Sequence, residues 1–269
     1  MGGALMRFFV LGPSEIKVGH HTVRPKGAVQ ELLFASFMAA AGRLVTVDSL
    51  AEELWGTTPP TKMHNALQAQ ISRLRRSLAR TEQDGASRIV TSVSGYQFSL
   101  QPGELDAQVF LDTVDVIRGR VCDRLDRCIA ELRGILALWR GPVFGGLATG
   151  PLCQTAASKY EESRLSALEL LYDLELRAGG HNRIIPEVTE TLAQNPMQEQ
   201  FCRQLMVALY RSGRQIDALN VYRDFRHRLN EELGVDPSPM LRMYESAVLE
   251  HDLALLEESP MIRPVGVRV

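Results

Sequence analysis

The stretch TKMHNALQAQISRLRRSLAR, from Thr61 to Arg80, carries five cationic side chains (Lys62, Arg73, Arg75, Arg76 and Arg80) and no acidic one, in a chain whose formal charge is −2. At helical spacing Leu67, Ile71, Leu74 and Leu78 share one narrow apolar stripe, so this segment is expected to be a helix that packs that stripe on a core. Asn65, Ala69, Ser72 and Arg76 lie opposite, flanked by Lys62, Gln68 and Arg73. Small, amide and guanidinium side chains on one exposed face suit a helix entering the DNA major groove. There amides read adenine, arginine reads guanine, and Ala or Ser lets the backbone come close. A solvated surface is the commoner meaning of a cationic run, so the neighbouring elements decide between the two readings.

Upstream, Met6–Leu11, Ser14–Val18 and His21–Arg24 are three short extended runs separated by Gly12-Pro13 and Gly19-His20, which predicts a small antiparallel sheet. The spacing of Val29, Leu32, Leu33, Phe37 and Ala40 predicts a helix stopped at Gly42. A second helix is expected from Thr46 or Asp48, whose oxygens can cap it, to Trp55 and Gly56. Thr57 to Pro60 then break the chain before the basic segment. Downstream, the runs 88–93 and 96–100 predict a hairpin about Ser94-Gly95. Three helices followed by a hairpin outline a winged helix-turn-helix, in which the basic helix is the reader. Phe34, Phe37, Leu54 and Trp55 read as core. Tyr96 has two readings, a backbone phosphate contact or packing of the hairpin onto the helix.

The chain has 269 residues, 45% hydrophobic and 23% charged, an ordinary composition with room for two domains. Net charge is +3 over residues 1–105 and −5 over 106–269, so only the front half is expected to face phosphate. No apolar run is long enough for a membrane span and no signal-peptide pattern opens the chain, which points to the cytoplasm. Cys122, Cys128, Cys153 and Cys202 form no CxxC pair and stand near no His at ligand spacing, so four reduced thiols and no metal site are expected. The six histidines are scattered without a neighbouring nucleophile, and adjacent glutamates such as Glu161-Glu162 point about 100° apart on a helix. No string supplies a nucleophile, a metal cage or a phosphate loop, so neither catalysis nor a cofactor is expected.

Gln101-Pro102-Gly103-Glu104 is the expected boundary, where mixed extended segments give way to helical patterns rich in Leu, Ala, Arg and Glu. Beyond it, Leu171, Arg177 and Gly179 recur as Leu205, Arg211 and Gly213, each 34 residues on. That is the period of tetratricopeptide helix pairs, which stack to bury a continuous core. The fold expected is therefore mainly α with a small β component: a winged helix-turn-helix over residues 1–102, a tetratricopeptide-like helical domain over 106–258, and a flexible tail over 259–269.

The strings FFVLGPSEI, GRLVTVDSLAEELWGTTPP, NALQAQISRLRRSL, SGYQF, LALWRGP and LMVALYRSGRQIDALNVYRDFRHRLNEELGVDPSPML, in this order and spacing, resemble the actinobacterial antibiotic regulatory proteins. In that family an OmpR-type winged helix is joined to a bacterial transcriptional activation domain, and this chain is similar to its small two-domain members. The resemblance implies a DNA-binding activator of a secondary-metabolite gene cluster. It further implies binding as a homodimer or tandem protomers on direct repeats near a promoter's −35 element, and contact with RNA polymerase and its sigma factor. Carried over residue by residue, it makes Arg73 a base reader and has Arg75 and Arg76 meet phosphates or support the wing. Asn65 and Gln68 match the family's own Asn and Gln. Lys62, His64, Ser72, Arg88 and Tyr96 complete the candidate DNA contacts. His64, Gln70 and Ser92 depart from the family's pattern at the helix and the wing. A rival reading is a sensor whose helical repeats bind a peptide or small ligand and control the DNA reader.

Overall fold

The computed structural model describes residues 6–79, 88–119 and 124–252. The chain opens with β1 (Met6–Phe9), β2 (Glu15–Val18) and β3 (His21–Val23), an antiparallel meander in that order. Phe8 stands opposite Ile16 and Arg7 opposite Lys17. The strand period of two therefore sends Met6, Phe8 and Ile16 into the core and leaves the cations on the other face.

Helix α1 (Ala28–Ala40) buries every residue from Leu33 to Ala40 and ends on Ala41 in the left-handed region, with Gly42 following. Three residues then form β4 (Leu44–Thr46), an element that short-range pattern does not announce. Thr46 caps α2 (Val47–Trp55), its hydroxyl accepting from the Ser49 N–H at 3.1 Å. After the Pro59-Pro60 break comes α3 (Met63–Ala79), then β5 (Ile89–Thr91) and β6 (Gly95–Phe98). The second sheet runs β4-β6-β5, with β6 central and both neighbours antiparallel to it. Phe98 on β6 meets Phe8 edge-on at 5.2 Å and Phe37 at 5.9 Å, and these rings join the two sheets and α1 in one core.

The hairpin turn differs from the expected Ser94-Gly95 position. Ser92 N–H donates to the Gly95 carbonyl, so Val93 and Ser94 form the loop and Gly95 belongs to β6. The cause is β4: a Cβ at position 95 would run into the Val45 carbonyl oxygen, so this strand position accepts only glycine.

Beyond β6 the elements among the described residues are helical: α4 (Asp106–Gly119), α5 (Leu125–Leu136), a short 3-10 turn at Val143–Gly146, α6 (Pro151–Arg177), α7 (His181–Gln194), α8 (Glu199–Arg211), α9 (Gln215–Leu233) and α10 (Pro239–Leu249). Helices α7 and α9 begin 34 residues apart, the interval at which the sequence repeats.

The chain divides into two compact units, Met1–Arg120 with Gly134–Leu165, and Val121–Arg133 with Ser166–Val269. The first unit thus runs past the compositional change at residues 101–104 and takes in α4 and the segment 134–165, because the β1 end of the first sheet is completed from there. The Phe8 N–H donates to the Glu104 carbonyl, the Arg140 N–H to the Leu11 carbonyl and the Phe144 N–H to the Val10 carbonyl. Asp106, 5% exposed at the start of α4, accepts from the backbone N–H groups of Val10, Leu11 and Ala107.

The second unit is centred on α8, in which every residue from Phe201 to Tyr210 is buried against α7, α9 and α10. Its buried charges are paired: Arg203 meets Asp173 at 2.6 Å, and Glu175 receives Arg133 and Arg183. Cys153 and Cys202 are buried free thiols. Cys128 is disulfide-bonded, which corrects the expectation of four reduced cysteines. Cys122 and the expected tail at 259–269 lie outside the described residues. Among the described residues no helix is long and apolar enough to cross a membrane.

Candidate nucleic-acid interface

Helix α3 is held from both sides of its length. Leu67, Ile71, Leu74 and Leu78 are each no more than 2% exposed, so the predicted stripe is the buried one. On the α1 side, the Gln30 side-chain amide donates to the Gln70 carbonyl at 3.2 Å and to its amide oxygen at 2.6 Å. Gln70 thus helps orient the helix within the domain. On the wing side, the Arg75 guanidinium donates to the Ile89 carbonyl at 3.1 and 2.8 Å and to the Thr91 hydroxyl at 2.7 Å. A planar fork with several donors can tie two elements at once, and here it joins the helix to β5.

The outward face carries Lys62, His64, Asn65, Gln68, Ala69, Ser72, Arg73 and Arg76, all exposed. The Arg76 guanidinium donates to the Ser72 carbonyl of its own helix at 3.3 Å. No acidic side chain lies between Lys62 and Ala79, so nothing on the helix itself neutralises this face. Such a surface offers point charges to phosphates, amides and a guanidinium to base edges, and little bulk at Ala69 and Ser72.

Two candidate residues stand elsewhere. Arg88 is 16% exposed and forms a bidentate pair with the 3% exposed Glu104, at 2.8 and 3.0 Å, while also donating to the Ser99 carbonyl. Its guanidinium braces the root of the wing through this ion pair. Tyr96 is 7% exposed and sits on β6 between Val45 and Thr91, so of its two readings the packing one describes its place. Arg80, the last cation of the quoted run, lies outside the described residues.

What the sequence did not single out is the wing tip. Val93 is fully exposed and Val90 is 51% exposed, with Thr91 and Ser92 between them. A valine at the tip of a polar hairpin was visible in the string, but its exposure depended on the turn lying one residue earlier than expected. Among the described residues no group of His, Cys, Asp or Glu is placed to hold a metal ion.

Two family models match. Residues 28–98 match the transcriptional regulatory protein C-terminal model, and residues 105–249 match the bacterial transcriptional activator domain. The chain is 37% identical over 263 residues to the transcriptional regulator RedD of Streptomyces coelicolor, covering 97% of this chain and 75% of RedD. It is 33% identical over 267 residues to the regulatory protein DnrI of Streptomyces peucetius, covering 96% and 97%. The regulatory protein AfsR of Streptomyces coelicolor is 37% identical over 263 residues, of which this chain spans only 25% of AfsR. Among solved structures, Mycobacterium tuberculosis EmbR in complex with a low affinity phosphopeptide superposes with a TM-score of 0.85 at 26% identity, covering 92% of this chain and 66% of that one.

Proposed function

The chain belongs to the Streptomyces antibiotic regulatory protein family of transcription activators, and from that premise we propose that α3 reads promoter DNA through its outward face. In this reading Arg73, Asn65 and Gln68 meet base edges, Lys62, Arg76 and His64 meet the sugar-phosphate backbone, and Ser72 with Ala69 admits the helix to the groove. Arg75 acts one step back, fixing the wing relative to the helix. The protein binds direct repeats near a −35 element as a homodimer or tandem protomers, and brings RNA polymerase holoenzyme to the promoter of a secondary-metabolite gene cluster. The cytoplasm is its place of action.

One observation carries the reading: the apolar stripe of α3 is buried within its own unit while an acid-free face of amide, hydroxyl and guanidinium groups stays open along the same helix. A merely solvated helix has no need to exclude carboxylates over seventeen residues. The test is nuclease protection of promoter DNA with and without polymerase holoenzyme. Protected patches repeating at about 10 to 11 base pairs, extended when holoenzyme is added, are expected for tandem protomers. A single isolated patch that holoenzyme leaves unchanged would contradict both the repeat mode and the recruitment.

A further inference from the structure

The first compact unit contains a buried joint between α2, the helix that precedes the reader, and the start of α6. Glu53 on α2 is 3% exposed, which is unusual for a carboxylate. One of its oxygens accepts the backbone N–H groups of Leu152 and Cys153, the latter at 3.3 Å. These are first-turn donors that no carbonyl of α6 can satisfy, and α6 has no acidic residue in its own first turn. Glu53 thus caps α6 from another element, placing negative charge at the positive end of that helix. The other carboxylate oxygen is buried without a hydrogen-bond partner. Around the joint the fit is close: a Cβ at Gly150 would collide with the Glu53 carboxyl group, and the Cys153 sulfur lies 3.9 Å from the Ser36 hydroxyl of α1. Burial, and then the Glu53 charge, push the Cys153 thiol well above the usual thiol range, so a seated Cys153 is a poor nucleophile.

Helix α2 packs on both α1 and α3, so the way α2 is held bears on the angle at which α3 is presented. We infer that Glu53 is a positioning residue for the DNA reader: its carboxylate seats the N-terminus of α6 on the helix-turn-helix, and this seat and DNA engagement by α3 stabilise each other. The inference rests on the proposed reading of α3. Linkage makes the effect reciprocal. If an unseated joint weakens DNA binding, bound DNA must hold the joint closed by the same factor. No phosphate contact is involved, so weakened binding is expected without a change in salt slope.

The experiment uses the full chain and reads the joint through alkylation of Cys153 by iodoacetamide, mapped by peptide mass spectrometry well below the unfolding temperature. Cys202, buried in α8, is the internal reference for global loosening. Glu53→Ala is expected to speed Cys153 labelling by about five- to tenfold with Cys202 unchanged, and to weaken promoter binding by a similar factor. Glu53→Gln keeps an acceptor oxygen and should fall between wild type and Ala. Gly150→Ala disturbs the seat without touching the carboxylate's charge and should behave like Glu53→Ala. Bound promoter DNA should slow Cys153 labelling in the wild type. Parallel rises at Cys153 and Cys202, or variants that bind DNA as the wild type does, or labelling indifferent to DNA, would overturn the inference. A wild-type protein that fails to bind promoter DNA would overturn the reading of α3 and the coupling together, while labelling without DNA still judges the cap itself.

Discussion

Arg73 and Arg76 leave α3 about 60° apart around its axis, both exposed, and the account gives them different work. Arg73 is assigned a base edge, so Arg73→Ala should cost about 1–3 kcal/mol on the cognate repeat and relax base preference there. Arg76 is assigned a phosphate, so Arg76→Ala should weaken cognate and scrambled duplexes alike and lower the salt slope by roughly one. Binding titrations on the two duplexes at several salt concentrations separate these outcomes, and equal losses on both duplexes for both variants would refute the assignment. Residue types and helical phase were enough to sort the α3 side chains into buried and exposed. They were not enough for Arg88, because the partner that captures it, Glu104, lies sixteen residues on and meets it only once β5 and β6 have paired. Tyr96 was ambiguous for a related reason, since a phenol ring serves a wet or a dry site equally well until its strand neighbours are known.

At the scale of elements, the wing is positioned by two things: the Arg75 fork from α3 and the β4 strand alongside β6. Gly95 is where the second of these is tightest. Gly95→Ala places a methyl group against the Val45 carbonyl, so β4 must shift or β6 must give way. A loss of about 1–3 kcal/mol in urea unfolding is expected, as for other forced overpacking. An unchanged midpoint would show that the strands yield freely. The helices were legible because their apolar residues recur at helical spacing and Thr46, Gly42 and the prolines punctuate them. The 34-residue interval likewise reappears in the starts of α7 and α9. Strand β4 was not legible. It has three residues, Leu44 and Thr46 are exposed while Val45 is buried, and its partner β6 is about fifty residues away. Such pairing is a tertiary event that local propensity does not encode.

For the molecule as a whole, the change in composition at residues 101–104 and the division into compact units are different things. Composition records where extended sequence patterns give way to helical ones, whereas compactness records which backbone groups satisfy one another. Asp106 shows the distinction, since it lies beyond the compositional change yet accepts N–H groups from Val10 and Leu11 in the first unit. Burial pushes its carboxyl up from 3.8 to about 6, against the opposing pull of three backbone N–H groups and Arg140. A raised folded-state value means that the stabilising contribution is complete below about pH 4 and is lost as pH rises through 6. Its full size is on the order of 3 kcal/mol. Thermal unfolding between pH 4 and pH 7 should therefore show Asp106→Asn losing less stability with rising pH than the wild type. Parallel profiles would contradict the assignment. The same long-range satisfaction explains why the front unit extends to residue 165, which no local feature of the string could announce.

The central claim is that the open face of α3 lies against the bases of promoter DNA, and Ser72, exposed midway along it, is the place to test it. A photoactivatable cross-linker attached through Ser72→Cys in the full chain, illuminated on a promoter duplex, should form adducts with major-groove base edges in every protected repeat. A linker that marks only protein, or only the sugar-phosphate backbone outside those repeats, would contradict the account.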